Sequence, residues 1–196
     1  FGNSDDSFSI KLKINAIYDD LISELDIKPF PLMDFYDYRI SGSVNDDGNG
    51  MFKYESNKAD KYFAEDLKIT NQPTGCGNIS IDIRAYDRDG KSLDVLIKRG
   101  LKDETGRYLN KIETRRLLDN VNGIGVYRNG FRIRPLGDAD FDWLKLNERR
   151  VLNPSMRLGS NQVIGCVNID VEEKSGLEEK SARDGLKENE AFASLK

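Results

Sequence analysis

The stretch Ile124-Gly125-Val126-Tyr127-Arg128-Asn129-Gly130-Phe131-Arg132-Ile133 constrains the fold more than any other part of the chain. Asn-Gly tolerates the positive φ of a tight turn, so the β-branched and aromatic residues on either side are expected to pair as an antiparallel hairpin, ended by Pro135. A lone hairpin is at best marginally stable in water, and the chain offers further strands to support it. Phe8, Ile10, Leu12 and Ile14 alternate with polar residues, as a half-buried strand does. Tyr38 to Val44 reads as a strand that turns through Asp46-Asp47-Gly48-Asn49-Gly50 into Met51-Phe52, a second hairpin. Ile79, Ile81, Ile83 and Ala85 alternate again, Asp87-Arg88-Asp89-Gly90 supplies turn chemistry, and Leu93 to Ile97 is expected to return as the partner strand. Gln162 to Val171 is rich in β-branched residues and reads as a central strand.

Elsewhere the apolar period is helical. Ile14, Ile17, Tyr18, Leu21, Ile22 and Leu25 predict a short amphipathic helix that ends before Lys28-Pro29, because a residue preceding proline avoids the helical region. A second helix is expected over 108–120 from Leu109, Ile112, Arg116, Leu117 and Leu118, closing near Asn122-Gly123. Asp142 to Arg157 reads as a connection. Glu172 to Lys196 reads as two helical stretches anchored by Leu177, Leu186, Phe192 and Leu195 and interrupted at Gly185. The expected class is α+β, with mixed sheets, hairpins and packed helices. Residues 1–107 form a strand-rich part with one early helix, and residues 108–196 a C-terminal part.

Several chemistries are excluded by residue type. The 196 residues contain no histidine, which removes the commonest general base, the commonest metal ligand and every Ser-His or Cys-His arrangement. A net charge of -4 disfavours a general nucleic-acid surface. Asp46, Asp47 and Asn49 lack the spacing of a calcium loop, and Thr74-Gly75-Cys76-Gly77 lacks the lysine and hydroxyl of a phosphate loop, so no metal site is expected. Cys76 and Cys166 stand apart without a CxxC pair, which predicts free thiols and a cytoplasmic, reducing setting. With no long apolar run the chain is expected to lie outside the membrane. A start at Phe1-Gly2-Asn3-Ser4 without Met or a signal segment is expected of a piece of a longer protein.

The ordered set Gly123 to Ile133, Pro135, Gly137, Asp142-Trp143-Leu144, Arg157-Leu158, Asn161 to Gly165, Arg183-Asp184-Gly185-Leu186 and Glu188 to Phe192 resembles the region that follows the ATP-binding domain in prokaryotic GHKL-type ATPases. These are the gyrase, heat-shock chaperone, histidine kinase and MutL group. The resemblance implies that the C-terminal part takes the β-α-β fold of a transducer domain. It also implies that ATP and magnesium belong to the parent protein, held by an N-terminal ATP-binding domain of the same polypeptide, and it leaves a homodimer open. Ala182 stands where such proteins often carry an asparagine, which removes one hydrogen-bonding side chain. The ExxxN, DxGxG and glycine-rich lid motifs of the nucleotide-binding half are not assembled here, so the piece alone is expected to be non-catalytic.

The resemblance further implies a cation or amide reaching back to the γ-phosphate. Arg157, Asn161 and Gln162, in a loop entering a strand, are the candidates for that contact, since arginine binds phosphate oxygens bidentately and amides donate a further bond. Arg128, Arg132, Trp143 and Arg183 are candidates for interaction surfaces. The competing readings are an interaction module that uses its hairpins and Trp143 without nucleotide, and an enzyme working through paired carboxylates alone.

Overall fold

In a computed structural model that describes residues 10–13, 24–27, 31–58, 61–103 and 106–196, the chain is an α+β protein built on one seven-stranded sheet. A separate antiparallel pair joins β1 (Ile10–Lys13) to β2 (Glu24–Ile27). The helix expected from Ile14 to Leu25 is corrected at its end. Residues 14–23 lie outside the described residues, and Glu24 and Leu25 belong to β2, whose Glu-Leu-Asp-Ile alternation has the period of a strand.

The main sheet contains β3 (Tyr38–Val44), β4 (Asn49–Ser56), β5 (Phe63–Thr70), β6 (Ile79–Ala85), β7 (Gly123–Arg128), β8 (Phe131–Arg132) and β9 (Val163–Ile169). Their order is β5-β4-β3-β6-β9-β7-β8. Every pairing is antiparallel except β7 with β9, which run parallel from Gly123 opposite Ile164 to Arg128 opposite Ile169. β9 is thus a central strand, as its β-branched composition predicts. Because β6 pairs with β9 from Ile79 opposite Ile169 to Ala85 opposite Val163, residues 1–107 and 108–196 share this sheet. The turn between β3 and β4 closes as expected: Gly48 adopts φ 81, and the Asn45 side chain accepts from the Asn49 amide at 2.8 Å.

Alternation along the strands sends side chains to two apolar clusters. Val163, Val167 and Ile169 of β9, with Ile124 and Val126 of β7, face Leu136, Trp143, Leu177, Leu186 and Phe192 from the C-terminal third. On the opposite face, Ile164 and Tyr86 pack with Leu93 and Leu96 of α1 (Gly90–Lys98) and Leu118 of α2 (Lys111–Val121). α2 is the helix expected over 108–120, and it opens with a capping box between Asn110 and Glu113.

α1 replaces the strand expected over Leu93 to Ile97. Asp89 decides the outcome: its carboxylate accepts from the amides of Lys91 at 2.9 Å and Ser92 at 3.1 Å, an N-cap that starts a helix, and Leu93 and Leu96 then share one buried face. The Ser92 hydroxyl, then the Ser92 and Lys91 amides, hold this carboxyl down at about 2. A depressed folded-state pKa stabilises above the unfolded value of about 4 and is lost as pH falls through about 2. Asp89→Ala is therefore expected to cost about 1 kcal/mol in urea unfolding at neutral pH. The gap between variant and wild type should close as the pH approaches 2.

Two elements arise where a connection was expected or no element was foreseen: β5, and α3 (Leu146–Leu152) inside the 142–157 connection. The two C-terminal helical stretches reduce to α4 (Glu190–Leu195). Residues 172–174 make a single 3-10 turn, and the loop beyond is closed by a bridge between Glu179 and Leu186. Leu177, Leu186 and Phe192 are buried anchors, but the first two plug the core singly from a loop. Among the described residues no helix is long and apolar enough to cross a membrane.

Candidate functional site

Three surfaces carry the polar residues singled out in the sequence, and all three grow from the β7–β9 half of the sheet. The first is a cleft of about 340 Å³ at the exit of the β7–β8 hairpin, lined in part by Asn122, Tyr127, Arg132, Arg134 and Asp138. Asn129 and Gly130 take φ 51 and 79, the turn their residue types predict. Pairing places Arg128 opposite Phe131 and Tyr127 opposite Arg132, so the two arginines leave on opposite faces of the ribbon. Arg132 and Arg134 line the cleft together, with Arg132 held by Asp138 at 2.9 Å. Gly123 and Gly137 take positive φ where two stretches of backbone meet: a Cβ on Gly123 would run into the Gly137 carbonyl, and one on Gly137 into the Ile124–Gly125 peptide. This contact folds the chain after the hairpin along the edge of β7. Asn122 is buried where α2 ends, donates to the carbonyls of Leu118 and Asp119, and has no partner for its Oδ1 among the described residues.

The second surface is α3 and the loop that follows it. Asp142 accepts from the amides of Leu146 at 3.0 Å and Asn147 at 2.8 Å, which fixes the start of the helix. Asn147 then donates to the Ser160 hydroxyl at 2.7 Å and accepts from the Ser160 amide at 3.0 Å, so the loop is tied off at its base. Arg157 is exposed on that loop, with no partner among the described residues. The other two phosphate candidates face differently. Gln162 is buried, and its Oε1 accepts from the Gly159 amide at 3.1 Å, serving the backbone of its own turn. Asn161 takes Arg88 on its carbonyl at 2.9 Å, while its side-chain oxygen is enclosed and unpartnered. The structure therefore separates Arg157 from Asn161 and Gln162.

The third surface is the loop from Glu178 to Lys187. The Lys187 amide donates to the Glu178 carbonyl at 2.8 Å, the Lys180 amide to Gly185 at 3.0 Å and the Arg183 amide to Lys180 at 2.8 Å. At the tip Arg183 takes φ 57, a left-handed conformation uncommon for a non-glycine residue, and its exposed side chain has no partner among the described residues. The base of this loop is fastened by Arg128. Its Nε donates to the Asp170 carbonyl at 3.0 Å, Nη1 to Glu172 at 3.1 Å and Glu179 at 2.7 Å, and Nη2 to the Leu177 carbonyl.

Two interaction candidates are thus interior residues. Arg128 is buried, and Trp143 is packed beneath the sheet with its Nε1 donating to the Ile124 carbonyl at 2.8 Å. What the sequence reading missed is Arg149, Arg150 and the exposed apolar residues around them, because the 142–157 stretch shows no apolar period. The doubled arginine followed by Val-Leu was the one available signal. No protein-family model matches the chain, and no curated protein or solved structure gives a match. Among the described residues no group of three or more His, Cys, Asp or Glu side chains is placed to hold a metal.

Proposed function

We propose that this chain is the coupling domain that follows the ATP-binding domain in a larger GHKL-type ATPase. In that reading it meets the γ-phosphate with an arginine when the two domains close, and passes the closure into its sheet. The observation that carries the reading is the loop tip at Arg183. Its backbone is fixed by three hydrogen bonds, two of which form the bridge between Glu179 and Leu186, while its guanidinium has no partner among the described residues. A phosphate contact that strengthens in the transition state needs a donor that reaches the phosphate from a fixed backbone, and this loop fixes the Arg183 backbone and leaves its guanidinium unspent. Arg183 is anchored to the rest of the protein through Glu179 and Arg128, which connect the loop to β7 and to the end of β9. Arg157 follows a turn in which the Met156 amide donates to the Asn153 carbonyl at 3.2 Å, on a loop tied at its base, and is the second candidate. Gln162 drops behind both because its side chain already serves Gly159.

ATP and magnesium would be held by the preceding domain, which supplies the chemistry of phosphoryl transfer. The free thiols of Cys76 and Cys166 support a cytoplasmic setting for the parent. In the parent protein, Arg183→Ala should lower steady-state ATP turnover about a hundredfold, as loss of a preorganised charge-assisted donor does. ADP affinity should hardly change, because the contact forms only with the γ-phosphate in the closed state. Arg157→Ala, measured beside it, tells the two loops apart. Unchanged turnover in both variants, with folding intact, would sink the nucleotide-sensing reading.

A further inference from the structure

We propose that α3 and its loop form a docking surface for a protein partner that presents carboxylates around an apolar centre. All residues from 147 to 158 are exposed, and α3 buries none of its own. A surface helix ordinarily hides an apolar stripe against its core. This one touches the core through Leu146 alone and is otherwise held by the Asp142 cap and the Asn147–Ser160 tie, which leave the side chains from Glu148 onward exposed. Val151, Leu152 and Met156 are 79%, 82% and 76% exposed, and Leu158 further along the same loop is 39% exposed. Large apolar residues gathered in this way on a surface mark an interaction site.

The charge around them is one-sided. Residues 145–158 carry four cations and a single carboxylate, Glu148, which lies 3.6 Å from Lys145. Arg149, Arg150 and Arg157 have no partner among the described residues, although the chain as a whole has a net charge of -4. A basic, apolar island on an acidic protein is complementary to acidic side chains that ring an apolar patch.

The residue types favour protein over other anionic surfaces. Arginine and methionine are enriched at protein interfaces, and lysine is depleted. Segments that lie in a bilayer surface set tryptophan or phenylalanine beside their basic residues, and residues 145–158 contain no aromatic side chain. A nucleic-acid backbone is met through phosphate contacts and would leave Val151, Leu152 and Met156 against water. The inference does not depend on nucleotide sensing, because Arg149, Arg150 and the apolar residues carry it without Arg183.

The test uses the whole chain and a fluorescein-labelled helical peptide of alternating glutamate pairs and leucines, followed by fluorescence anisotropy. A peptide of equal charge with leucine replaced by serine is the control. The chain should bind the leucine peptide at least about tenfold more tightly than the serine peptide. The Arg149→Glu/Arg150→Glu and Val151→Ser/Leu152→Ser variants should each weaken that binding by about tenfold or more, as loss of central contacts does. Since residues 149–152 are all exposed, both variants should unfold in urea at the wild-type midpoint, so weaker binding cannot be traced to misfolding. Tighter binding to phosphatidylserine vesicles or duplex DNA than to the leucine peptide would overturn the proposal. So would equal binding by wild type and variants, or none at all.

Discussion

Replacing Trp143 by alanine is expected to destabilise the chain by about 3–5 kcal/mol, the range for deleting a buried aromatic side chain. The indole is 8% exposed, stacks on Phe192 with ring centres 6.1 Å apart, and donates its Nε1 hydrogen to the Ile124 carbonyl. Removing it leaves a void between β7 and the C-terminal segment and strips an enclosed carbonyl of its donor. Trp143→Phe should cost less, about 1–3 kcal/mol, because a ring can still stack while the carbonyl goes unsatisfied. Trp143 is the sole tryptophan, so unfolding of the variants must be followed by circular dichroism in urea. A loss under about 1 kcal/mol for Trp143→Ala would place the indole outside the core, where it could again serve a partner surface.

The packing of Trp143 also shows which parts of the fold can be read from sequence. Strands with one apolar and one polar face were legible residue by residue: Tyr38–Val44 and Ile79–Ala85 have the predicted bounds. The hairpin at Asn129-Gly130 was legible because its turn demands those residue types. α1 was not. Leu93, Val95 and Ile97 alternate like a strand, and only the Asp89 carboxylate, by capping the first amides, turns the segment into a helix. β5 and α3 were hidden for a different reason. In β5 Phe63, Leu67 and Ile69 share a face that Glu65 interrupts and only Leu67 is part-buried, and α3 turns only Leu146 to the core, so neither carries a continuous apolar period to read. Among the described residues β5 pairs through its backbone with β4 only, and α3 is held at its first turn by Asp142 and by the Asn147–Ser160 tie.

The candidate site was legible only as residue types in order. That Gln162 turns inward and Arg183 stands at a loop tip depends on turns whose hydrogen bonds are set by the folded loop. Arg128 was the hardest to foresee. Its acceptors lie between Asp170 and Glu179, more than forty positions along the chain, and nothing near a hairpin turn announces that a cation there will be enclosed.

Arg128→Ala is expected to cost about 3 kcal/mol. Breaking an enclosed ion pair by removing one partner costs about 3–5 kcal/mol when the charge left behind is buried. Here the lower end applies, because Glu172 and Glu179 keep 47% and 33% of their side-chain surface in water, which screens them once the guanidinium is gone. The larger part of the loss comes from the Asp170 and Leu177 carbonyls, left without a donor beneath the loop. Arg128→Lys should recover part of it, since an ammonium neutralises one carboxylate but cannot span four acceptors as a planar fork does. Glu179→Gln should cost less than about 1 kcal/mol, as expected of a pair open to solvent. Urea unfolding gives the total, and amide hydrogen exchange across 170–187 locates it. In Arg128→Ala that segment should exchange faster while β3 and β6 keep their protection. Stability within about 0.5 kcal/mol of wild type, with protection of 170–187 unchanged, would mean that the guanidinium is solvated. The proposed route from Arg183 through Glu179 into β7 would then have no physical link.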